Sequence, residues 1–143
     1  MPDDPAQRVA VITGGARGLG LATGRILKVR GWTVVATDRD ETPELAAAEI
    51  DYVAVDVADS TAVNAAAAEI RKRHGSIDAL VNCAGFTQHE AMADLADATW
   101  QGLIDVHLGG AFRCCRAFHP ALLRGGAVVN VSSLAAHSLM KPC

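Results

Sequence analysis

Short apolar runs alternate with stretches of helical periodicity along most of this chain. Residues 8–13 form an apolar run that ends in glycines, and residues 18–30 then carry apolar side chains at three- and four-residue spacing. The first run predicts a buried strand, and the second predicts a helix that packs on it. Residues 33–37 are β-branched and almost wholly apolar, as expected for a strand buried on both faces. These elements predict a strand–helix–strand unit.

The same alternation continues along the chain. It predicts a short helix at residues 43–49, a strand at 52–55 and a helix at 60–73 with Asp59 as its N-cap. A strand at 79–82, a long helix at 97–123 and a fifth strand at 127–131 follow. Pro120 is expected to disturb the last turn of the long helix, because proline lacks a backbone N–H. Strands separated by helices of this length predict parallel pairing through right-handed crossovers. The predicted fold class is therefore α/β, with a doubly wound parallel sheet.

Composition narrows the range of functions. The 143 residues amount to one domain, and a chain that is 50% hydrophobic but only 4% aromatic suits small helices packed on buried strands. A net charge of -3 without long like-charge runs gives no electrostatic footprint for nucleic acid or for an anionic membrane surface. A small soluble ligand is therefore the expected partner.

Targeting and metal-binding signals are also missing from the sequence. Residues 1–5 are acidic and do not resemble a signal peptide, and no apolar run reaches the roughly 18 residues that a membrane helix needs. We therefore expect a cytoplasmic protein. The cysteines and histidines lack the spacing of metal ligands, so no metal site is expected at Cys83, Cys114, Cys115, Cys143, His74, His89, His107, His119 or His137.

The sharpest chemical signal is the sequence T-G-G-A-R-G-L-G at residues 13–20, between the first predicted strand and the first helix. Gly14 allows a tight turn, Gly18 allows the backbone to approach a pyrophosphate, and Gly20 permits close packing of helix on strand. The helix N-terminus presents unpaired N–H groups to the phosphates. A glycine cluster alone is explained equally well by turn formation, but the flanking elements and Asp38 favour a dinucleotide site.

Asp38 ends the second predicted strand, roughly twenty residues after the glycines, where an acid meets the adenosine ribose. A carboxylate there accepts hydrogen bonds from both ribose hydroxyls and repels a 2′-phosphate, which favours NAD over NADP. Arg17 and Arg39 are placed where a cation could neutralise an extra phosphate. NADP is therefore the less favoured alternative.

The spacing T-G-x-x-x-G-x-G resembles the short-chain dehydrogenase/reductase family, and further motifs follow in the family's order. Asp56 and Val57 resemble its acidic pair at the adenine ring, residues 82–85 (N-C-A-G) are similar to its N-N-A-G motif, and residues 128–133 (V-V-N-V-S-S) resemble its fifth strand. Plain structural roles are open alternatives: Asp56 as a helix cap, Asn82 as a turn former, and the two serines as strand-end caps.

The resemblance implies a Rossmann-like sheet with strand order 3-2-1-4-5. It assigns Ser133 to the serine that orients the substrate carbonyl. His107 stands where an asparagine usually holds a water of the proton relay, and an imidazole can also bind water, so His107 is a weaker catalytic assignment. The implied cofactor-binding residues are Gly14, Arg17, Gly18, Leu19, Gly20, Asp38, Arg39, Asp56, Val57, Asn82, Ala84 and Gly85.

The family's reaction is hydride transfer between the nicotinamide and a secondary alcohol or carbonyl carbon, with a tyrosine as general acid/base and a lysine that lowers its pKa. This Y-x-x-x-K pair would lie beyond Cys143. Tyr52, the only tyrosine, stands at the start of the third predicted strand and is expected to be out of reach of the chemistry. Lys141 has His137 four residues before it, and both follow Ser133 too closely for the family's geometry.

We therefore expect residues 1–143 to form one dinucleotide-binding domain that is incomplete at its C-terminus, truncated after the fifth strand. This would be the cofactor half of an NAD-dependent oxidoreductase that acts on a small alcohol or carbonyl compound. The alternatives are a non-catalytic NAD-binding module and an inactive fragment.

The predicted strand at residues 127–131 would be an unpaired apolar edge, which tends to pair with another chain. We therefore expect the chain to be a segment of a longer protein, a truncated gene product or a self-associating protein, and we expect a homo-oligomer. Gln88, His89 and Met92 could approach the pocket mouth, although surface-loop positions are the simpler interpretation.

Overall fold

The computed structural model describes residues 8–122 and 125–133. Within these residues, strands and helices alternate as the sequence predicts. A π-helical segment, Ile104–Gly109, joins the fourth and fifth α-helices directly. The elements are β1 (Val9–Thr13), α1 (Gly18–Val29), β2 (Thr33–Asp38), α2 (Pro43–Ala47), β3 (Asp51–Ala54), α3 (Ser60–His74), β4 (Ala79–Asn82), α4 (Asp97–Leu103), α5 (Gly110–Leu122) and β5 (Ala127–Asn130).

The five strands form one parallel sheet in the order β3-β2-β1-β4-β5. Val11 in the central strand pairs with Val35 on one side and Leu80 on the other. Because all strands run the same way, their carboxyl ends meet at one edge of the sheet. The predicted α/β class and strand order are confirmed.

Helices cover both faces of the sheet, because alternate side chains of each strand point to opposite faces. Val11 packs with α3 and α5, while the next residue, Ile12, packs with α1 and α2. Both side chains are fully buried. The buried residues of α3 and α5 on the first face include Val63, Ile70, Cys114 and Phe118, and those on the second face include Leu21 and Leu45.

The prediction of one regular α-helix over residues 97–123 is wrong. The π-helical segment widens the helix at Ile104–Gly109, and Leu123 lies outside the described residues. Apolar periodicity does not reveal such a segment, because the helix axis continues through it. Pro120 lies inside α5, which continues to Leu122, so the proline does not end the helix; it removes only its own N–H from the hydrogen bonding.

Smaller differences occur at the ends of elements. α1 ends at Val29, with Arg30 as its C-cap, and α2 ends at Ala47 rather than at residue 49. β3 covers Asp51–Ala54, one residue earlier than the predicted 52–55, and Tyr52 lies within this strand. The N-cap prediction for α3 is confirmed, because the Asp59 carboxylate accepts hydrogen bonds from the first-turn N–H groups of the helix.

Candidate functional site

A cavity of about 550 Å³ opens at the carboxyl edge of the sheet. Ligands of open α/β sheets bind at this edge. Its walls come from the β1–α1 turn and from the chain that follows β2, β3 and β4. Eleven of the twelve predicted cofactor residues line it, namely Gly14, Arg17, Gly18, Leu19, Gly20, Asp38, Arg39, Asp56, Val57, Ala84 and Gly85.

The glycines of the β1–α1 turn meet different demands. Gly14 has a φ of +64°, and a Cβ there would lie 2.8 Å from the Cα of Ala84, so the turn packs directly on the loop after β4. Gly18 has a φ of +53°, and a Cβ there would have nothing within 4 Å. Gly18 therefore faces open space, as it must if a ligand is to approach its backbone.

Gly20 has a role different from the predicted one. A Cβ at this position would overlap the carbonyl oxygen of Gly14, so the turn itself requires glycine, and packing of helix on strand does not. The close approach of α1 to the sheet occurs one turn later. At Gly24 a Cβ would lie 3.5 Å from the Cγ1 of Val34 in β2 and 3.6 Å from the Cδ1 of Ile12 in β1, and 2.9 Å from the Cδ1 of Ile50 just before β3.

The N-terminus of α1 faces the same turn. The N-cap residue, Arg17, has an extended backbone and forms no side-chain cap bond, and the first turn contains no acidic residue. The N–H groups at this end therefore lack a side-chain acceptor, and the helix dipole adds partial positive charge. An uncapped helix end beside an open glycine has the chemistry to hold a diphosphate.

Asp38 is held at the rim of the cavity by backbone groups. Its Oδ2 accepts a hydrogen bond from Ala16 N (3.2 Å), and its Oδ1 accepts one from Arg39 N (2.8 Å). The Tyr52 hydroxyl donates to the Asp38 carbonyl (3.0 Å), so the lone tyrosine lies at this end of the site. Burial and then the nearby Asp38 carboxylate raise the pKa of Tyr52 above its ordinary value of 10.0.

Asp56 is not a helix cap, because Asp59 is the N-cap of α3. Its Oδ1 accepts a hydrogen bond from Ala58 N (2.9 Å), which is a local turn contact, and the same residue lines the cavity with Val57. The turn contact fixes the carboxylate at the end of β3. Its second oxygen has no hydrogen bond within the described residues and is available to a ligand.

A second cavity of about 400 Å³ adjoins the first and shares Val57, Ala84 and Gly85 with it. Ser133 and His107, the two predicted catalytic residues, both line this second cavity. The structure therefore brings together two residues that stand 26 positions apart, beside the walls of the larger cavity.

His107 lies in the π-helical segment and contacts the loop after β4. Its Nε2 is 2.9 Å from the Phe86 carbonyl oxygen and 3.3 Å from Phe86 N. A Cβ on Gly85 would lie 2.6 Å from the Cε1 of His107, so the close packing of this ring requires glycine at this position. Within the described residues, Nδ1 is the ring nitrogen that stays available for a water.

Asn82 is 92% buried and ties three elements together. Its Nδ2 donates to Asn130 Oδ1 in β5 (2.8 Å) and lies 3.4 Å from Cys115 Sγ in α5. Its Oδ1 has no partner among the described residues, and the residue lines the second cavity. Asn82 therefore links β4 to β5 and to α5.

Two residues with structural roles at the site were missed by sequence reasoning. The buried hydroxyl of Thr13 accepts hydrogen bonds from Cys83 N and Ala84 N, each at 3.1 Å, and so fixes the loop after β4. Arg113 donates to Val57 O and to Asp105 O. Thr13 stands inside the glycine motif, which could have drawn attention to it, whereas Arg113 carried no sequence signal.

The loop residues Gln88, His89 and Met92 are not among the described residues that line the two cavities. Over residues 8–122 and 125–133, no helix is long and apolar enough to cross a membrane. The same part of the chain brings no three His, Cys, Asp or Glu side chains together as metal ligands.

The parallel sheet and the motifs along its carboxyl edge define a Rossmann-like α/β protein. A sequence model described as short chain dehydrogenase matches residues 8–141, and the chain belongs to this family of oxidoreductases.

Curated relatives carry reductase and dehydrogenase names. The short-chain reductase protein NovJ of Streptomyces niveus is 36% identical over 140 residues, which cover 91% of this chain and 53% of NovJ. A 3beta-hydroxysteroid dehydrogenase of Mediterraneibacter gnavus is 34% identical over 142 residues, which cover 90% of this chain and 50% of that protein. The chain thus spans about half the length of the curated relatives it matches.

Solved structures share the fold. The aldohexose dehydrogenase of Thermoplasma acidophilum, in ligand-free form, has a TM-score of 0.88 and 28% identity over 96% of this chain and 53% of its own. A metagenomic short-chain oxidoreductase in complex with NADP has a TM-score of 0.85 and 35% identity over 94% of this chain and 66% of its own.

Proposed function

We propose that this chain is the cofactor-binding half of a nicotinamide-dependent oxidoreductase, which transfers hydride between the nicotinamide and a secondary alcohol or ketone carbon. The observation that carries the proposal is the cavity at the carboxyl edge of the sheet. It joins an uncapped helix end, an open glycine and an oriented carboxylate, which are the three groups that a dinucleotide needs. The names of the curated relatives support the same class of reaction.

In this proposal the diphosphate lies against Gly18 and the N-terminus of α1, and Asp38 accepts hydrogen bonds from the adenosine ribose. The fixed position of the Asp38 carboxylate supports this, since each oxygen accepts one backbone N–H and keeps a further lone pair for a hydroxyl. A carboxylate at this place repels a 2′-phosphate, so we propose NAD as the cofactor and NADP as the weaker ligand. A similar oxidoreductase was solved in complex with NADP, and we propose that the residues around Asp38 decide between the two cofactors in this chain.

The second cavity is the proposed place of the chemistry. The bound cofactor supplies or accepts the hydride. Ser133 would donate a hydrogen bond to the substrate oxygen, and the Nδ1 of His107 would hold a water beside it. The family uses a tyrosine and a lysine for proton transfer, and the 143 residues contain no Y-x-x-x-K pair, so we propose that this chain by itself binds cofactor without turning over substrate.

The partner of this site would be a small alcohol or carbonyl compound, and we propose that the protein acts in the cytoplasm as a homo-oligomer. Its charge of -3, with no basic run longer than the three residues 71–73, supports a small-molecule ligand over nucleic acid.

Cofactor binding is tested by calorimetry with NADH on the wild-type chain and on Gly18→Ala. The added Cβ would occupy the space that the diphosphate needs, so we expect the affinity to fall about tenfold or more. Gly75→Ala is the matched control, because Gly75 also has a positive φ (+77°) and open space around it. Backbone strain costs on the order of 1–2 kcal/mol for a residue with a Cβ in the left-handed region, and more at Gly75, whose ψ is −88°. Gly75→Ala should nevertheless leave the affinity unchanged.

An absence of heat with millimolar NADH on the wild-type chain would contradict the proposal, and so would equal binding by Gly18→Ala. A panel of secondary alcohols offered with NAD should yield no NADH from this chain alone. NADH formation would show that the acid/base group lies within the 143 residues.

A further inference from the structure

The β1–α1 turn and the loop after β2 are joined side by side. Ala16 is the centre of the junction: its N–H donates to the Asp38 carboxylate (3.2 Å), and its carbonyl accepts from the Thr42 hydroxyl (2.8 Å). These bonds fix the loop after β2 against the glycine-rich turn. The charged side chains on the two segments are thereby held near one another at the mouth of the larger cavity.

A third link in this junction is an ion pair. The guanidinium of Arg17 lies 3.5 Å from the Asp40 carboxylate, and both side chains are exposed. Arg17 and Arg39 line the cavity beside Asp38, whereas Asp40 is not among the lining residues. Asp40 therefore engages one of the two rim cations from outside the cavity. Within the described residues, the Arg39 side chain forms no ion pair.

A guanidinium has five N–H donors, so Asp40, which lies 3.5 Å from a single Nη of Arg17, does not exhaust them. Asp40 instead draws the Arg17 side chain toward itself and offsets its positive charge, and both effects weaken the attraction of Arg17 for a phosphate. A phosphate on the 2′ oxygen of the adenosine ribose would arrive next to Asp38, where the nearest cations are those of the rim. Asp40 competes with that phosphate for Arg17.

We propose that Asp40 is a specificity-determining residue, which holds Arg17 away from a 2′-phosphate and so shifts the preference of the site from NADP toward NAD. This inference rests on the proposed function. It goes further, because it places part of the discrimination on an ion pair outside the cavity and not on the Asp38 carboxylate alone.

The test uses two ligands that lack the nicotinamide: ADP-ribose and its 2′-phosphorylated form. Both carry the adenosine, the diphosphate and the second ribose, and they differ from each other only by the 2′-phosphate. Calorimetry at low ionic strength compares the wild-type chain with Asp40→Asn, Arg17→Gln and the double variant. Glu41→Gln is the matched control, since it removes the same charge one residue away, and Glu41 forms no ion pair with Arg17 in the described part of the chain.

In the Asp40→Asn variant, we expect the affinity for the 2′-phosphorylated ligand to rise about two- to fivefold, the range of an exposed ion pair. ADP-ribose should bind with unchanged affinity. The gain should vanish when Arg17→Gln is added, and Glu41→Gln should give less than half of it. Raised salt should shrink the gain, because both side chains are exposed.

An equal gain in the Arg17→Gln background, or an equal gain from Glu41→Gln, would overturn the role of Asp40 and indicate general charge repulsion. The role of Asp40 would also be overturned if the wild-type chain bound ADP-ribose but Asp40→Asn left the affinity for the 2′-phosphorylated ligand unchanged. If neither ligand bound the wild-type chain at millimolar concentration, the proposed function would fail, and the inference would fail with it.

Discussion

Three side chains of the candidate site, Thr13, Asp38 and His107, bond to the backbone of a neighbouring segment. Thr13 and His107 both hold the loop after β4, the first through two N–H donors and the second at Phe86. Asp38 holds the glycine-rich turn through Ala16 N. In each case a side chain of one element fixes the backbone of a neighbouring loop, so contacts within the protein itself position the walls of the cavity.

Cys83 provides a residue-scale test, because it lines both cavities. Burial raises the pKa of its thiol above the ordinary value of 9.0, and the thiolate is the form that reacts. We therefore expect slow alkylation by iodoacetamide near pH 7, a rate that increases as the pH rises above 9, and protection by NADH. Peptide mass spectrometry measures the modification of Cys83 over time.

Cys114 is the internal control for this experiment. Burial first, and then the neighbouring Cys115, raise the pKa of Cys114 to about 12, and its side chain is almost completely buried. It should be modified after Cys83 at every pH at which the fold persists. Rapid labelling of Cys83 at pH 7, insensitive to NADH, would contradict its placement in the cavity wall.

The π-helical segment between α4 and α5 is the element that brings His107 to the site. π-Helical segments concentrate at functional sites, because the wider turn displaces side chains from regular helical positions. Arg113, in the next helix, reaches back to this segment and donates to Asp105 O (2.9 Å). The same side chain donates to Ser60 Oγ (3.2 Å), at the start of α3. It therefore links the segment to the part of the chain that follows β3.

Arg113→Met tests this link. Methionine keeps much of the length and apolar packing of the side chain but removes every donor, so two backbone carbonyls and Ser60 lose a charged partner. Hydrogen bonds to charged groups contribute about 1.5–3 kcal/mol when buried. Because the side chain is partly exposed, we expect the free energy of unfolding to fall by about 1–2 kcal/mol. Amide hydrogen exchange should quicken at residues 104–109.

Arg116→Met is the matched control on the same helix. Arg116 is exposed and lies over the Phe112 ring at 4.9 Å, a contact that contributes about 0.5–1 kcal/mol at such sites. This variant should leave exchange at residues 104–109 unchanged. Equal effects of the two variants in urea unfolding and in hydrogen exchange would show that Arg113 has no special role.

At the scale of the whole molecule, the β5 edge of the sheet and the helices at residues 97–122 expose apolar side chains. β5 is an edge strand with exposed apolar side chains, and further large apolar side chains are exposed along residues 97–122. An apolar edge strand offers unpaired N–H and C=O groups to another chain. The exposed apolar side chains in these regions are Trp100, Leu108, Phe112, Val128, Val129 and Val131.

We therefore expect the 143-residue chain to self-associate, and Val129→Lys to reduce this association, because lysine on an edge strand opposes pairing. Val129 is 49% exposed. Val29→Lys is the matched control, since Val29 is 89% exposed at the end of α1, where a lysine also suits the helix dipole. Sedimentation equilibrium measures the average mass against concentration. A wild-type chain that stays monomeric at all concentrations, or equal effects of the two lysines, would contradict this expectation.

The sequence was sufficient for the features that depend on neighbours along the chain. Apolar runs and helical periodicity located every strand to within one or two residues, as at β3, where residues 52–55 were expected and Asp51–Ala54 is observed. The Asp59 cap was predictable because it bonds to N–H groups only two and three residues away. The glycine motif and the acid at Asp38 were predictable because their positions relative to β1 and β2 are fixed by short spacings.

Tertiary structure decided the features that depend on contacts between distant segments. The bonds of Thr13 to the loop after β4 span about 70 residues, and those of Arg113 to Val57 and Ser60 span more than 50, so no local pattern signals them. The requirement for glycine at Gly20 arises from the carbonyl of Gly14 folded over it, which only the closed turn reveals. Local spacing fixes backbone hydrogen bonding and periodicity, whereas packing and long-range hydrogen bonds exist only after the chain has folded.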